Sequence, residues 1–218
     1  MTRKYQTTDK RKDQIIEAAK RLIIKYGSEH VTVRRMAKQV GISEAAIYRH
    51  FKSKADILSF LVDHIEDTLV GGITKATPDG HASLELLDKI LRSHISTIEQ
   101  RGGISFQIIA EIISLGNKKL NQKITEVINK YINSLRDLLA KSASTGEMRE
   151  NVDLETASTL LFTMIQGLVN LWALSNYSFD LEERYASLWN FFRQMVTECG
   201  IQPSLPPEVT KPDPTFNA

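Results

Sequence analysis

The chain has 218 residues, 42% apolar and 25% charged, with one cysteine, six prolines and eleven glycines. This is an ordinary folded composition with room for a sizeable core, and the lone thiol of Cys199 excludes a disulfide scaffold within the chain. The net charge of +2 conceals a split: residues 1–52 hold 13 Lys+Arg against 5 Asp+Glu, while the remainder is acidic, so a polyanion would meet the head alone.

Apolar residues recur at helical rather than alternating spacing, which predicts an all-α fold of about nine helices. The first starts near Thr8 or Asp9, carries Ile15, Ile16, Ala19, Leu22, Ile23 and Tyr26, and closes at Gly27. Thr32 can cap a short helix with Val33, Met36, Ala37 and Val40 that ends at Gly41; Ser43 can cap another with Ala46, Ile47, Tyr48 and Phe51. Ser53 and Asp56 have the spacing of a capping box before a fourth helix through Ile57, Leu58, Leu61, Val62, Ile65 and Leu69, which Gly71-Gly72 is expected to end. Further helices fit residues 83–100, 104–115, 118 to about 144, 153–175 and 180–199.

The most apolar stretch, residues 157–174, is interrupted by Ser158, Thr159, Thr163, Gln166, Gly167 and Asn170, so no membrane span is expected. Residues 1–12 are polar and basic, unlike a signal peptide. These features read as a soluble cytoplasmic protein. Residues 201–218 contain five of the six prolines and are expected to be disordered.

Ala37, Gly41 and Ile47 are spaced as a helix-turn-helix requires. A small residue stands where two helices cross, glycine occupies the turn, and an aliphatic side chain reaches back into a shared core with Met36, Val40 and Ile42. His50 stands where an aliphatic residue is common in this motif, which leaves Phe51 to complete the packing.

Thr32 to Ser43, continuing as Ala46-Ile47-Tyr48-Arg49-His50-Phe51-Lys52-Ser53-Lys54, resembles the TetR (tetracycline-repressor-like) family of bacterial regulators. The resemblance covers roughly residues 9–70 and beyond them is one of architecture. It implies a helix-turn-helix DNA-binding domain with a basic arm over 1–53, a helical effector-binding and dimerisation domain over 54–200, and a tail over 201–218. It further implies a ligand-responsive transcriptional regulator, by family default a repressor.

A recognition helix presents its first residues to base edges in the major groove while flanking donors hold phosphates. Ser43, Glu44, Ala45 and Ala46 are the base-proximal candidates. Tyr48 and His50 can reach phosphate or base, Arg34 and Arg35 guanine or phosphate, and Lys54 a phosphate near the start of the fourth helix. Thr32, Arg49 and Lys52 complete the DNA-binding set. Tyr48 could instead pack beneath the motif, and Arg35 and Lys38 could be solvated surface. Arg3, Lys4, Lys10, Arg11 and Lys12 read as a flexible basic arm that could reach a minor groove or simply raise nonspecific affinity, the second being the expectation.

One head reads few base pairs, so a homodimer on a pseudo-palindrome is expected, with half-sites ~34–36 Å apart. Leu161, Met164, Leu168 and Trp172, with Leu181, Tyr185, Leu188, Trp189, Phe192 and Met195, are the expected dimer interface, because both terminal helices are apolar on more than one side. An effector cavity is expected from Phe60, His64, His94, Ile98, Phe106, Ile109, Ile113, Tyr131, Leu135, Phe162 and Gln166, and its apolar cast favours a small hydrophobic or aromatic effector. No cofactor, metal or membrane partner is expected. The alternatives are a helical enzyme, for which His30, His50, His64, His81 and His94 form no catalytic or metal-binding spacing, and a nonspecific polyanion-binding module.

Overall fold

A computed structural model describes residues 8–27, 30–76 and 82–198. Arg3, Lys4, His81, Cys199 and the proline-rich tail lie outside the described residues. Among those described, nine helices and no strand follow in order: α1 Thr8–Tyr26, α2 Val33–Val40, α3 Glu44–Tyr48, α4 Lys54–Ala76, α5 Leu84–Gln100, α6 Ile104–Leu115, α7 Lys118–Ser144, α8 Leu154–Leu174 and α9 Leu181–Thr197.

Local chemistry sets most of these boundaries. Oγ1 of Thr32 accepts from the Arg35 N–H, Oγ of Ser43 from Ala46 and Oγ of Ser53 from Asp56, each at 3.2 Å. These bonds satisfy backbone donors that a helix start leaves unpaired. The Ser53 box is not closed in the usual way, because Oδ2 of Asp56 accepts from Lys52 N–H at 2.7 Å. Gly41 ends α2 at φ +74°, a left-handed conformation natural to glycine, and Ile42 N–H then reaches the Ala37 carbonyl at 3.0 Å.

The helix α4 departs from its expected end. It runs through Gly71 and Gly72 to Ala76, and Ile73 beyond them is buried. Each glycine costs about 1 kcal/mol relative to alanine in a helix, whereas burying one isoleucine contributes about 1.5–3 kcal/mol. Tertiary burial therefore offsets the local signal to stop.

Helices α1 to α3 pack around Ile15, Ile23, Met36, Ala37, Ile47 and Phe51, and this small core joins that of α4 to α9. In the body α4 packs on α7, α5 on α9, and α7 on α8, while α1 touches α6. By length and composition α8 is apolar enough to cross a membrane despite its polar interruptions. Its Ala157, Leu161, Ile165, Leu168, Val169 and Trp172 are nevertheless buried against other helices of the chain.

Candidate DNA-reading head and effector cavity

The two short helices of the head divide their side chains cleanly. Ile47 and Phe51 are buried with Met36 and Ala37, so packing is complete without the residues between them. Ser43, Glu44, Ala45, Arg49 and Lys52 are exposed, Ala46 and His50 are half-buried, and Tyr48 is 52% exposed rather than packed beneath the motif. Thr32, Arg34, Arg35 and Lys38 are exposed on α2. The Arg35 guanidinium lies 5.9 Å from the centroid of the Tyr26 ring, a cation–π distance.

His50 sits in positive surroundings. Burial, then Lys12, Arg11 and Arg49, push its imidazole below the ordinary histidine value, so it is neutral near pH 7 and can donate one ring N–H. The first turns of α1 thus bring Arg11 and Lys12 beside the end of the reading helix.

Lys54 differs from its expected role. Its ammonium donates to Oε1 of Glu111 on α6 at 2.5 Å, which ties the start of α4 to the body. Farther along α4, Lys123 of α7 pairs with Asp63 at 2.6 Å and donates to the Ser59 carbonyl and hydroxyl at 2.9 Å. Lys130 of α7 reaches Glu66 at 2.6 Å. The connecting helix is therefore stapled to α6 and α7 by three lysines.

Six of the eleven expected cavity residues share one enclosed apolar space: His94, Phe106, Ile109, Tyr131, Phe162 and Gln166. The hydroxyl of Tyr131 lies 3.0 Å from Nδ1 of His94, and its ring meets the edges of His94 and Phe162 at 5.6 and 6.3 Å. Burial holds the His94 imidazole down to about 4 and pushes the Tyr131 phenol up, so both are uncharged at neutral pH. Oε1 of Gln166 is buried with no partner among the described residues, an acceptor that an entering ligand could satisfy. The free space is about 20 Å³, with a further 120 Å³ beside it between Ile73, Ile90 and Tyr131. A ligand larger than a few atoms must part α4 from α5 and α7.

The other expected cavity residues stand elsewhere. Phe60 is exposed and meets the edge of Phe51 in the head at 6.2 Å. Ile113 is 68% exposed, Leu135 is core without lining the space, Ile98 borders a separate small void, and His64 lines a different cleft. The wall also includes residues not anticipated: Ile65 and Leu69 on α4 and Ile124 and Ile128 on α7. Steps of four along both helices are the signal that points to them, although ordinary core shows the same spacing.

The terminal helices require a similar correction. Leu161, Leu168, Trp172, Leu181, Tyr185, Trp189 and Phe192 are buried within one subunit and cannot face a second. The Tyr185 hydroxyl donates to Oδ1 of Asp88 on α5 at 3.1 Å, and Trp172 Nε1–H donates to the Phe179 carbonyl at 3.1 Å. Met164, Leu188 and Met195 are half-buried. What remains is a different seam on α8, Leu160, half-buried Met164, Gly167, Leu171 and Leu174, at steps of four, three, four and three, with Leu174 82% exposed; on α9 Phe191 is also exposed.

Comparison with known proteins finds two matching segments. Residues 15–59 match the family model of bacterial regulatory proteins of the tetR family, and residues 62–194 match that of the YsiA-like protein C-terminal region. The fatty acid metabolism regulator protein of Bacillus subtilis is 28% identical over 169 residues, 77% of this chain and 86% of that protein. The nucleoid occlusion factor SlmA of Idiomarina loihiensis is 24% identical over 85% of this chain and 95% of its own. Among solved structures, the transcriptional regulator FadR of Bacillus subtilis in complex with stearoyl-CoA superposes with a TM-score of 0.73 at 26% identity, covering 84% of this chain and 98% of that one.

Proposed function

The chain belongs to the tetR family of bacterial regulatory proteins, and from that premise we propose that it is a cytoplasmic repressor, binding a pseudo-palindromic operator as a homodimer and released by an effector with a long apolar chain. The observation that carries the DNA-binding part is the exposed leading edge of α3, Ser43 to Ala45 with Tyr48 and half-buried Ala46 between them, on a helix already anchored by Ile47. Such an edge fits a major groove, with Arg34, Arg35, Arg49 and Lys52 placed around it for phosphates. The apolar seam of Leu160, Met164, Gly167, Leu171 and Leu174 supports the dimer, since it repeats at the spacing of helix-on-helix packing. The uncharged lining around His94 and Tyr131, together with the similarity to a regulator bound to stearoyl-CoA, supports a long-chain acyl effector. No catalytic role belongs to this reading.

In mechanism, an acyl chain forced into so small a space displaces α4, whose first turn leads directly from α3. The heads then shift relative to each other and lose the operator. A coupling of ~1–3 kcal/mol is typical of such linkage.

Duplex binding tested over a range of salt, on random DNA and on a selected palindrome, decides the function. We expect steep salt dependence on both and a preference of ~10³-fold or more for the palindrome. Arg34→Ala should lower the salt slope by about one charge, and Ala46→Asp should abolish the preference. Equal affinity for every sequence, or full operator affinity in Ala46→Asp, overturns the reading. Stearoyl-CoA should weaken operator binding, and the operator should weaken stearoyl-CoA binding by the same factor.

A further inference from the structure

A second cleft, of about 400 Å³, lies where α1 of the head meets α4 and the corner between α5 and α6. Its polar wall carries Lys20 and Arg21 from α1, Arg101 from the end of α5 and His64 from α4, with Glu17 the one carboxylate among its lining residues. Ile65 and Ser105 belong both to this cleft and to the enclosed cavity of the body, so those two side chains form part of the partition between a cationic space and an apolar one. The His64 imidazole is held below its ordinary value by burial and then by Lys20 and Arg101, which marks the cleft as positive despite Glu17 and Asp67.

We propose that this cleft holds the multiply anionic, phosphate-bearing head of an amphipathic effector, with phosphates against Lys20, Arg21 and Arg101 and the apolar chain passing Ile65 and Ser105 into the enclosed cavity. The subsite rests on the reading of that cavity as the effector pocket. No side chain lining the cavity is charged at neutral pH, and burying an unpaired anion there would be strongly unfavourable. A charged head must stay outside, and the cleft sharing the cavity's wall supplies two guanidinium groups whose forked N–H donors match phosphate oxygens. Lys20 now pairs with Glu17 at 2.8 Å, but that carboxylate is largely exposed, so a phosphate displaces it at little cost. Two of the three cations ride on α1 and the third on the body. A bound head group therefore pins the reading head to the body in one relative position.

The test is titration of the full chain with stearoyl-CoA, stearoyl lysophosphatidate, stearate and stearyl alcohol, in wild type, Arg101→Gln and Lys20→Gln, with operator binding by Arg101→Gln as the control for folding. Charge-dependent binding of either phosphate-bearing probe supports the subsite, and the tighter of the two names its head group. Its affinity should fall about tenfold in each variant and decline with salt, while stearyl alcohol binds all three proteins alike. Equal affinity of stearoyl-CoA for wild type and both variants overturns the subsite, as does an equal loss for stearyl alcohol. If stearyl alcohol binds wild type and neither phosphate-bearing probe does, the subsite falls while the cavity stands. If no probe binds, the effector reading falls with it.

Discussion

Helices α2 and α3 are 8 and 5 residues long, whereas α8 and α9 are 21 and 17, and the two pairs expose opposite kinds of surface. In the short pair only Met36, Ala37 and Ile47 are buried, and the side chains left outside are charged or polar apart from Ala45, with Tyr48 among them. In the long pair twelve residues are buried, and the outside still carries Leu160, Leu171, Leu174 and Phe191. A short helix with one apolar side declares its outer face by subtraction. A helix apolar on two sides does not, because burial inside the subunit and contact with a second copy place the same demand on its residues.

The sharpest way to break this contrast is to charge the outer seam. Leu171→Asp combined with Phe191→Asp should leave a folded monomer by sedimentation and weaken operator binding on the order of 10²-fold or more, because two half-sites are no longer engaged together. Leu161→Asp, one residue around the same helix from Leu160 and fully buried, should instead unfold the subunit. A double variant that remains dimeric would mean that exposure on α8 and α9 does not mark the interface.

A smaller effect tests the inner side. As pH falls below 6.5, the ordinary histidine value, His94 binds a proton in the unfolded chain first, since its folded value is about 4. Stability should therefore drop across that window by up to about 3 kcal/mol, and the loss is complete near pH 4. Histidines 50 and 64 are shifted in the same direction, so the comparison is with His94→Asn, whose urea unfolding should lose less stability between pH 7 and pH 4. An identical decline in both proteins would remove His94 from the buried polar pair.

The smallest effect concerns the helix that joins the two regions. A Cβ at Gly71 would meet no atom within 4 Å, and its φ is not positive. Gly71→Ala should raise stability by about 0.5–1 kcal/mol in a thermal melt. A loss of stability would mean that α4 is not helical through the glycine pair.

These contrasts also mark how far the chain could be read without coordinates. Ala37, Gly41 and Ile47 were legible because a tight turn between two short helices leaves few residue types that fit, and Thr32, Ser43 and Ser53 because capping is local chemistry. The bounds of α6 and α7 belong to that class. Lys54 was not legible: its partner Glu111 is 57 residues away, and nothing within a turn of it reveals the pairing. Phe60 and Ile113 failed for a related reason, since helical spacing places a residue on a face but does not say which neighbour covers that face. The seam on α8 lies one residue from the one read by periodicity, and a 100° rotation of a helix apolar on both sides leaves the pattern nearly unchanged.

The lysine staples along α4 give it the character of a detent rather than a spring. Asp63 and Glu66 meet Lys123 and Lys130 in one register, and sliding the helix by a turn, about 5.4 Å, would break both contacts together. Smaller slides would stretch the same two pairs together. Each exposed pair is worth only about 0–1 kcal/mol, so the catch is easily tripped, yet it holds α4 in one register on α7.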